Sequence, residues 1–278
     1  MRRALAVLCL AAVVAACGGD DNEGAATPVA SAQASPCAKE SLDLKKPGKL
    51  TVGTDKPAYP PYFEDDDPTS GKGFESAVAY AVAKELGFEF VDVIWTVVPF
   101  NSSYAPGDKA FDFDINQISI TPKRAERVDF SEPYFEAPQA VIALKSTDAA
   151  KATRLADLAK AKLGVQVGTT SLDAVNASIM PELQPQVFND SNDTVRALKG
   201  KRVDAIVVDL PTAFYLTAAE VPEAKIVGQF AAPGGDKWGL LLQKGSKLTS
   251  CVNEALSKVD LKALQDQWMG GDAAPALS

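Results

Sequence analysis

The sequence predicts an α/β protein, and three observations carry that expectation. Short apolar runs of strand length alternate with longer stretches of helical period. Glycine and proline mark the changes, Gly87 ending one helical stretch and Pro122 opening another. The 278 residues are 46% hydrophobic, enough for one core and plausibly for more than one.

The elements follow in order. Residues 50–53 read as a strand, and 74–86 as a helix with Ala77, Val78, Ala81 and Val82 on one face. Residues 88–95 read as the next strand, and 111–120 as an extended run that ends at Thr121-Pro122, where a helix carrying Lys123 and Arg124 begins. Strands are expected at 141–144, 163–167 and 205–208, interleaved with helices beginning near Leu155, Thr170, Asp193 and Leu210. A strand over 238–243 and helices over 248–259 and 261–269 complete the pattern. Alternation of this kind favours largely parallel sheets.

The N-terminus reads as a targeting segment. Arg2 and Arg3 precede an apolar stretch over 4–14, too short to span a membrane as a mature helix. Val14-Ala15-Ala16-Cys17 resembles the bacterial lipobox, in which cleavage after residue 16 leaves an acylated Cys17 as the membrane anchor. The alternative is an ordinary secretory signal cleaved nearby. Residues 17–36 read as a flexible tether and 272–278 as a loose tail. No later segment approaches 20 apolar residues, so the lipid would be the only attachment to the outer face of the plasma membrane. Cys9 leaves with the leader, and Cys37 and Cys251 then remain as one pair in an oxidising compartment. A disulfide is expected, with two separate thiols as the alternative.

Composition also excludes. The 36 acidic residues outnumber the 28 basic ones, and no long basic run occurs, so a nucleic acid partner is not expected. The chain has no histidine, which removes histidine acid–base pairs, histidine triads and histidine metal sites. No phosphate-cradling loop of the Gly-Lys-Ser/Thr type is present. Neither a metal nor a cofactor is expected, and the protein is not expected to be an enzyme.

Several ordered blocks together resemble one family. They are Val52-Gly53-Thr54-Asp55 followed by Tyr59-Pro60-Pro61-Tyr62, and Gly71-Lys72-Gly73-Phe74-Glu75. The most specific joins Ser119-Ile120-Thr121-Pro122-Lys123-Arg124 to Val128-Asp129-Phe130-Ser131-Glu132-Pro133-Tyr134. Val165-Gln166-Val167-Gly168-Thr169-Thr170-Ser171 and the stretch from Gly200 to Asp209 follow in order. The chain is similar to the type II periplasmic binding proteins for polar amino acids, solute-binding protein family 3. The resemblance implies a two-lobed α/β fold with the ligand in the interlobe cleft. Lobe 1 would comprise 37–138 and 236–271, lobe 2 would comprise 139–235, and the crossovers at 136–139 and 230–235 would form the hinge. The implied work is capture of a small polar amino acid and its delivery to the membrane and ATPase subunits of an ABC importer. A sensing protein for a separate receptor, or a dehydratase-like enzyme on the same fold, are the alternatives.

The resemblance also suggests the pocket. Arg124 would hold the ligand carboxylate in a two-pronged grip, its bland alternative being a surface ion pair. Asp209 would hold the ammonium, or serve as a plain helix cap, or both. Ser119, Thr169 and Thr170 offer hydroxyls and backbone amides; Tyr59, Tyr62 and Trp95 would form aromatic walls, or pack in the core. Asp55 matches a position near the ligand, though it could simply stabilise a turn. Asn116-Gln117 departs from the small residues usual there, and strand alternation would let only one of the two face the cleft. The loop over 99–109 also looks long. No pair of carboxylates for a basic side chain and no extra cation for an acidic one is evident, which favours a neutral or polar amino acid.

Overall fold

The computed structural model describes residues 35–270 and 274–278. The leader 1–16, Cys17 and nearly all of the 17–36 tether therefore lie outside the described residues, as does the start of the 272–278 tail. In chain order the strands are β1 (Leu50–Thr54), β2 (Val93–Val97), β3 (Phe113–Asp114), β4 (Val128–Glu136), β5 (Gln139–Leu144), β6 (Leu163–Gln166), β7 (Gln186–Phe188), β8 (Ala205–Asp209), β9 (Ala224–Phe230) and β10 (Lys237–Gln243). The helices are α1 (Phe74–Glu85), α2 (Phe100–Ser103), α3 (Pro122–Ala125), α4 (Thr170–Ala174), α5 (Ser191–Lys199), α6 (Leu210–Tyr215), α7 (Thr249–Leu256) and α8 (Leu261–Trp268).

Two five-stranded sheets result, ordered β2-β1-β3-β10-β4 and β7-β6-β8-β5-β9. The chain crosses from the first lobe to the second after β4 and returns after β9. The expectation of largely parallel sheets needs correction. β1 runs parallel to β2 and β3, and β6 runs parallel to β7 and β8. β10 is antiparallel to β3 and β4, however, and β5 is antiparallel to β8 and β9. The reversed strand in each sheet is the one that arrives directly from the other lobe, without the crossover that a parallel neighbour needs.

Other elements are shorter than their apolar runs suggest. Residues 90–92 form a 3-10 turn before β2, β3 has only two residues, and the helix expected near Leu155 is a single 3-10 turn. Gly73 stands just before α1 with φ 92°, where a Cβ would lie 2.4 Å from the Tyr62 carbonyl oxygen, so only glycine fits. The buried face of α1 includes Val78 and Val82 as expected, with Ala79 and Ala83 in place of Ala77 and Ala81.

The first lobe buries aromatic rings around Trp238, among them Phe63, Phe74, Phe113 and Tyr134. The second lobe buries aliphatic side chains on both faces of its sheet. Every β5 residue is buried, Val141 and Ala143 on one face and Ala140, Ile142 and Leu144 on the other, as a two-residue period dictates. A disulfide joins Cys37 to Cys251, their Cα atoms 5.3 Å apart, and fastens the start of the domain to α7.

The loose tail expected at 272–278 is a second correction. After α8, which packs on the first lobe through Leu261, Leu264 and Trp268, residues 274–278 lie on the second. Ala276 bridges Gln229 in parallel, the Gln229 amide donates to the Pro275 carbonyl at 2.7 Å, and the Leu277 amide donates to the Gln229 carbonyl at 2.8 Å. Gly228 makes the approach feasible, since a Cβ there would meet the Pro275 oxygen at 2.6 Å and Leu277 Cγ at 2.7 Å. Composition marks 274–278 as loop-like, but an unpaired edge of β9 and a buried Leu277 outweigh it.

Candidate functional site

Between the lobes lies a cavity of about 160 Å³. Its first-lobe wall comes from the segments that follow β1, β2 and β3: Asp55 to Pro57 with Tyr59, then Phe100, then Asn116, Gln117 and Ser119. Its second-lobe wall comes from the segments that follow β6, β7 and β8, which run into α4, α5 and α6. Thr169 and Thr170, Asp190 to Asn192, and Asp209 with Thr212 stand at these three helix starts. The cavity thus occupies the carboxyl ends of parallel strands, where an α/β sheet leaves backbone and helix starts free to meet a ligand.

The lobes are closed on each other. Tyr59 donates its hydroxyl proton to Asn192, Tyr62 Oη and Thr212 Oγ1 are 2.9 Å apart, and Ser119 Oγ lies 3.2 Å from Thr170 Oγ1. Tyr59 also packs on Tyr215 of the second lobe, ring centres 5.5 Å apart.

The helix-cap reading of Asp209 does not hold. The residue occupies the N-cap position of α6, but its side chain caps nothing. Its Oδ1 instead accepts from Gln139 Nε2 at 2.6 Å, and the residue lines the cavity. Loss of water around it pushes its carboxyl above the usual carboxylate range, with the nearby charge of Asp236 adding to the effect. Asp236 accepts from the same Gln139 nitrogen at 2.7 Å and from Thr170 Oγ1 at 2.8 Å. Gln139 and Asp236 stand on the two interlobe crossovers and carry no motif, which is why sequence reasoning missed both.

Arg124 is buried, as the end of a cavity-binding motif should be, but its guanidinium is not among the cavity-lining groups. Nη1 donates to the Ser119 carbonyl at 2.7 Å and Nη2 to the Gly168 carbonyl at 2.9 Å, across the cleft. Its face lies over Tyr104, 4.7 Å from the ring centre, and over Phe100. The surface ion pair is thereby excluded: the guanidinium lies inside the interlobe contact, held by one carbonyl from each lobe. The long 99–109 loop explains it, because α2 inside that loop brings Phe100 to the cavity and Tyr104 onto the arginine.

Trp95 needs a plainer correction. It does not line the cavity; it meets Phe63 edge-on at 5.8 Å and donates its indole N–H to Tyr80 Oη at 3.3 Å. A β2 side chain on that face points to α1, away from the cleft. Tyr62 is almost fully buried and reaches a smaller adjoining cavity with its hydroxyl end, while its ring packs on Trp238. Asp55 lines the cavity, but both its oxygens accept backbone amides, from Lys56 at 2.7 Å and Phe100 at 3.0 Å. Thr169 uses its hydroxyl as the α4 cap, accepting from Leu172 at 3.3 Å.

Asn116 and Gln117 both line the cavity, against the alternation expected of a strand. Gln117 has φ +48°, which breaks the pleat and turns both side chains to the same space. Glu75, fully buried on α1, accepts the Gln117 backbone amide at 2.7 Å and also the Gln117 side-chain amide and the Tyr134 hydroxyl. Burial pushes Glu75 up to about 7, partly offset by those three donors. Asn116 Nδ2 is buried without a partner and so is free to serve a ligand.

The family description "bacterial extracellular solute-binding proteins, family 3" matches residues 50–271. The L-cystine-binding protein of Escherichia coli K12 is 30% identical over 238 residues, covering 82% of this chain and 85% of that protein. An ancestral arginine-binding protein, solved bound to glutamine, is 32% identical with a TM-score of 0.68, covering 81% of this chain and 99% of that one. An ancestral amino acid-binding protein described as a precursor of cyclohexadienyl dehydratase is 29% identical with a TM-score of 0.64, over 80% and 95% of the two chains.

Proposed function

This chain belongs to the bacterial extracellular solute-binding proteins, family 3, and from that premise we propose that it captures a small polar amino acid by lobe closure and hands it to an ABC importer. One observation carries the ligand class: the half-buried Asp209 carboxylate lies in the cavity wall and, although it stands at a helix cap, caps nothing. An uncapping acid of that kind matches an ammonium group, which needs a partner once it leaves water. The opposite charge is Arg124, held by the Ser119 and Gly168 carbonyls, so the ligand carboxylate lies toward it beside the Ser119 and Thr170 hydroxyls. A cavity of about 160 Å³ is small beside the ~300–1,000 Å³ usual for drug-sized ligands, and suits a single amino acid. The side chain extends toward Asn116, Gln117 and Tyr59, which offer amides and a ring. Asp55 and Asp190 accept backbone amides, and this favours a neutral polar side chain over a basic one.

The protein binds its solute and leaves it unchanged, and acylated Cys17 holds it at the outer face of the plasma membrane. Thermal unfolding of the purified full chain against the common amino acids and cystine tests the capture. A solute present at 100 times its Kd adds about 2.7 kcal/mol, an upward shift of roughly 5–11 °C for a chain of this size. Asp209→Ala should weaken binding at least ~100-fold while leaving the protein folded. If no amino acid shifts the transition, the reading is wrong. Recovery of the bound solute intact checks the absence of turnover, and Cys17→Ser should release the protein from the membrane fraction.

A further inference from the structure

Gln117 meets the cavity from the segment after β3, and a single residue of α1 holds it there. Glu75 is fully buried in the first turn of α1 and does not line the cavity. Its Oε1 accepts the Gln117 backbone amide at 2.7 Å and the Tyr134 hydroxyl. Its Oε2 accepts Gln117 Nε2. Gln117 is thus gripped by main chain and side chain together, in a left-handed conformation that a residue with a Cβ seldom adopts unaided.

The chemistry of Glu75 settles which way round the Gln117 amide lies. A carboxylate has two acceptor oxygens and no donor, so only the NH2 end of the amide can face it. The carbonyl end, Oε1, has no donor among the described residues and is left to the cavity that Gln117 lines. Asn116 lines the same cavity, and its Nδ2 is buried without a partner. This part of the wall therefore offers one acceptor and one donor on adjacent residues, each costly to bury unanswered. A primary carboxamide carries the matching donor and acceptor on one carbon. A carboxylate brings no donor for Gln117, and an ammonium or guanidinium leaves Asn116 Nδ2 unanswered.

We propose that Glu75 is a positioning residue that turns the Gln117 carbonyl oxygen toward the solute, and that Gln117 with Asn116 then selects an amino acid whose side chain ends in a carboxamide. This deepens the amino acid reading above and rests on it. Glu75 does not touch the solute; it acts through the orientation of one amide. The selection comes from two residues that replace the small ones the family resemblance leads one to expect at 116 and 117.

The test uses two neutral probes with the same number of heavy atoms, L-glutamine and L-methionine sulfoxide. The sulfoxide keeps an acceptor oxygen but has a methyl group where glutamine has its NH2. Affinities are measured by calorimetry on full chains at pH 8, where Glu75, pushed up to about 7 by burial, is ionised. Wild type should bind L-glutamine at least ~10-fold more tightly, because the sulfoxide leaves Gln117 Oε1 unanswered. In Glu75→Gln the new Oε1 keeps the Gln117 backbone amide and the Tyr134 hydroxyl, and an NH2 replaces Oε2. Two NH2 groups make no hydrogen bond, so the Gln117 amide turns over and shows its NH2 to the solute. The preference for L-glutamine should then fall at least ~10-fold. A site merely loosened by the substitution would weaken both probes alike, and an unchanged ratio overturns the positioning role. Gln117→Met removes the acceptor and leaves Glu75 in place, which keeps the test decisive if Glu75→Gln does not fold. Its two affinities should lie within about threefold of each other, and a retained preference overturns selection by Gln117. Wild type that binds both probes alike, or another amino acid and neither probe, overturns this inference and leaves amino acid capture standing. Wild type that binds no amino acid overturns capture itself, and the inference falls with it.

Discussion

The two lobes share a strand plan but not a core. The first packs Trp238 against Tyr62, Tyr134 and Phe135 and encloses two fully buried acids, Glu75 and Asp114. The second packs valine, leucine, isoleucine and alanine on both faces of its sheet. The difference follows what each contributes to the site. The first lobe has to hold loops in shapes that a plain strand would refuse, including Gln117 at positive φ, and large rings with an acid beneath them make a stiff support. The second lobe needs only to present helix starts and one charged carboxyl, for which a regular sheet with small and branched side chains is sufficient. The first lobe gives shape and the cation Arg124, and the second gives helix starts and the acid Asp209.

That contrast can be broken at the first lobe. Trp238 is fully buried and its indole nitrogen has no partner, so its contribution is packing alone. Trp238→Ala should lose about 3–5 kcal/mol in chemical denaturation. A loss below 1 kcal/mol would mean that the aromatic cluster is not what stiffens this lobe. The second lobe offers a smaller test. Gly228→Ala places a Cβ 2.6 Å from the Pro275 oxygen, and overpacking of this kind costs about 1–3 kcal/mol. Hydrogen exchange should show the Leu277 amide losing protection while β1 is unaffected; an unchanged Leu277 would mean that the docking of 274–278 does not depend on this close approach. The smallest effect sharpens the comparison. Trp95→Phe should leave solute affinity within about twofold, because the ring supports Phe63 and Tyr80 outside the cavity. A tenfold loss would return Trp95 to the binding wall.

Much of the site was legible in order along the chain. The loops after β1 and β3 and the helix starts at Thr170 and Leu210 were placed by their motifs, and Asp209, Ser119, Thr170, Tyr59 and Asn116 do face one cavity. Asp190 was within reach of the same reasoning, since it caps the helix expected near Asp193. Residue type does not reveal surroundings: Trp95 is set by Tyr80 and Phe63, and the company of Arg124 comes from Tyr104 and Gly168.

By itself the sequence determined the alternation of strands and helices, the cysteine pair and the order of the motifs, because these rest on local period and on few candidates. Only the tertiary structure decided which strands reverse, that 274–278 completes the second sheet, that Gln117 leaves the pleat, and that Gln139 joins Asp209 to Asp236. Each of those depends on groups far apart in the chain meeting where water is excluded; Gln117 and Glu75 are 42 apart and Gln139 and Asp236 are 97 apart. Burial makes such a pairing decisive, and no local pattern encodes it.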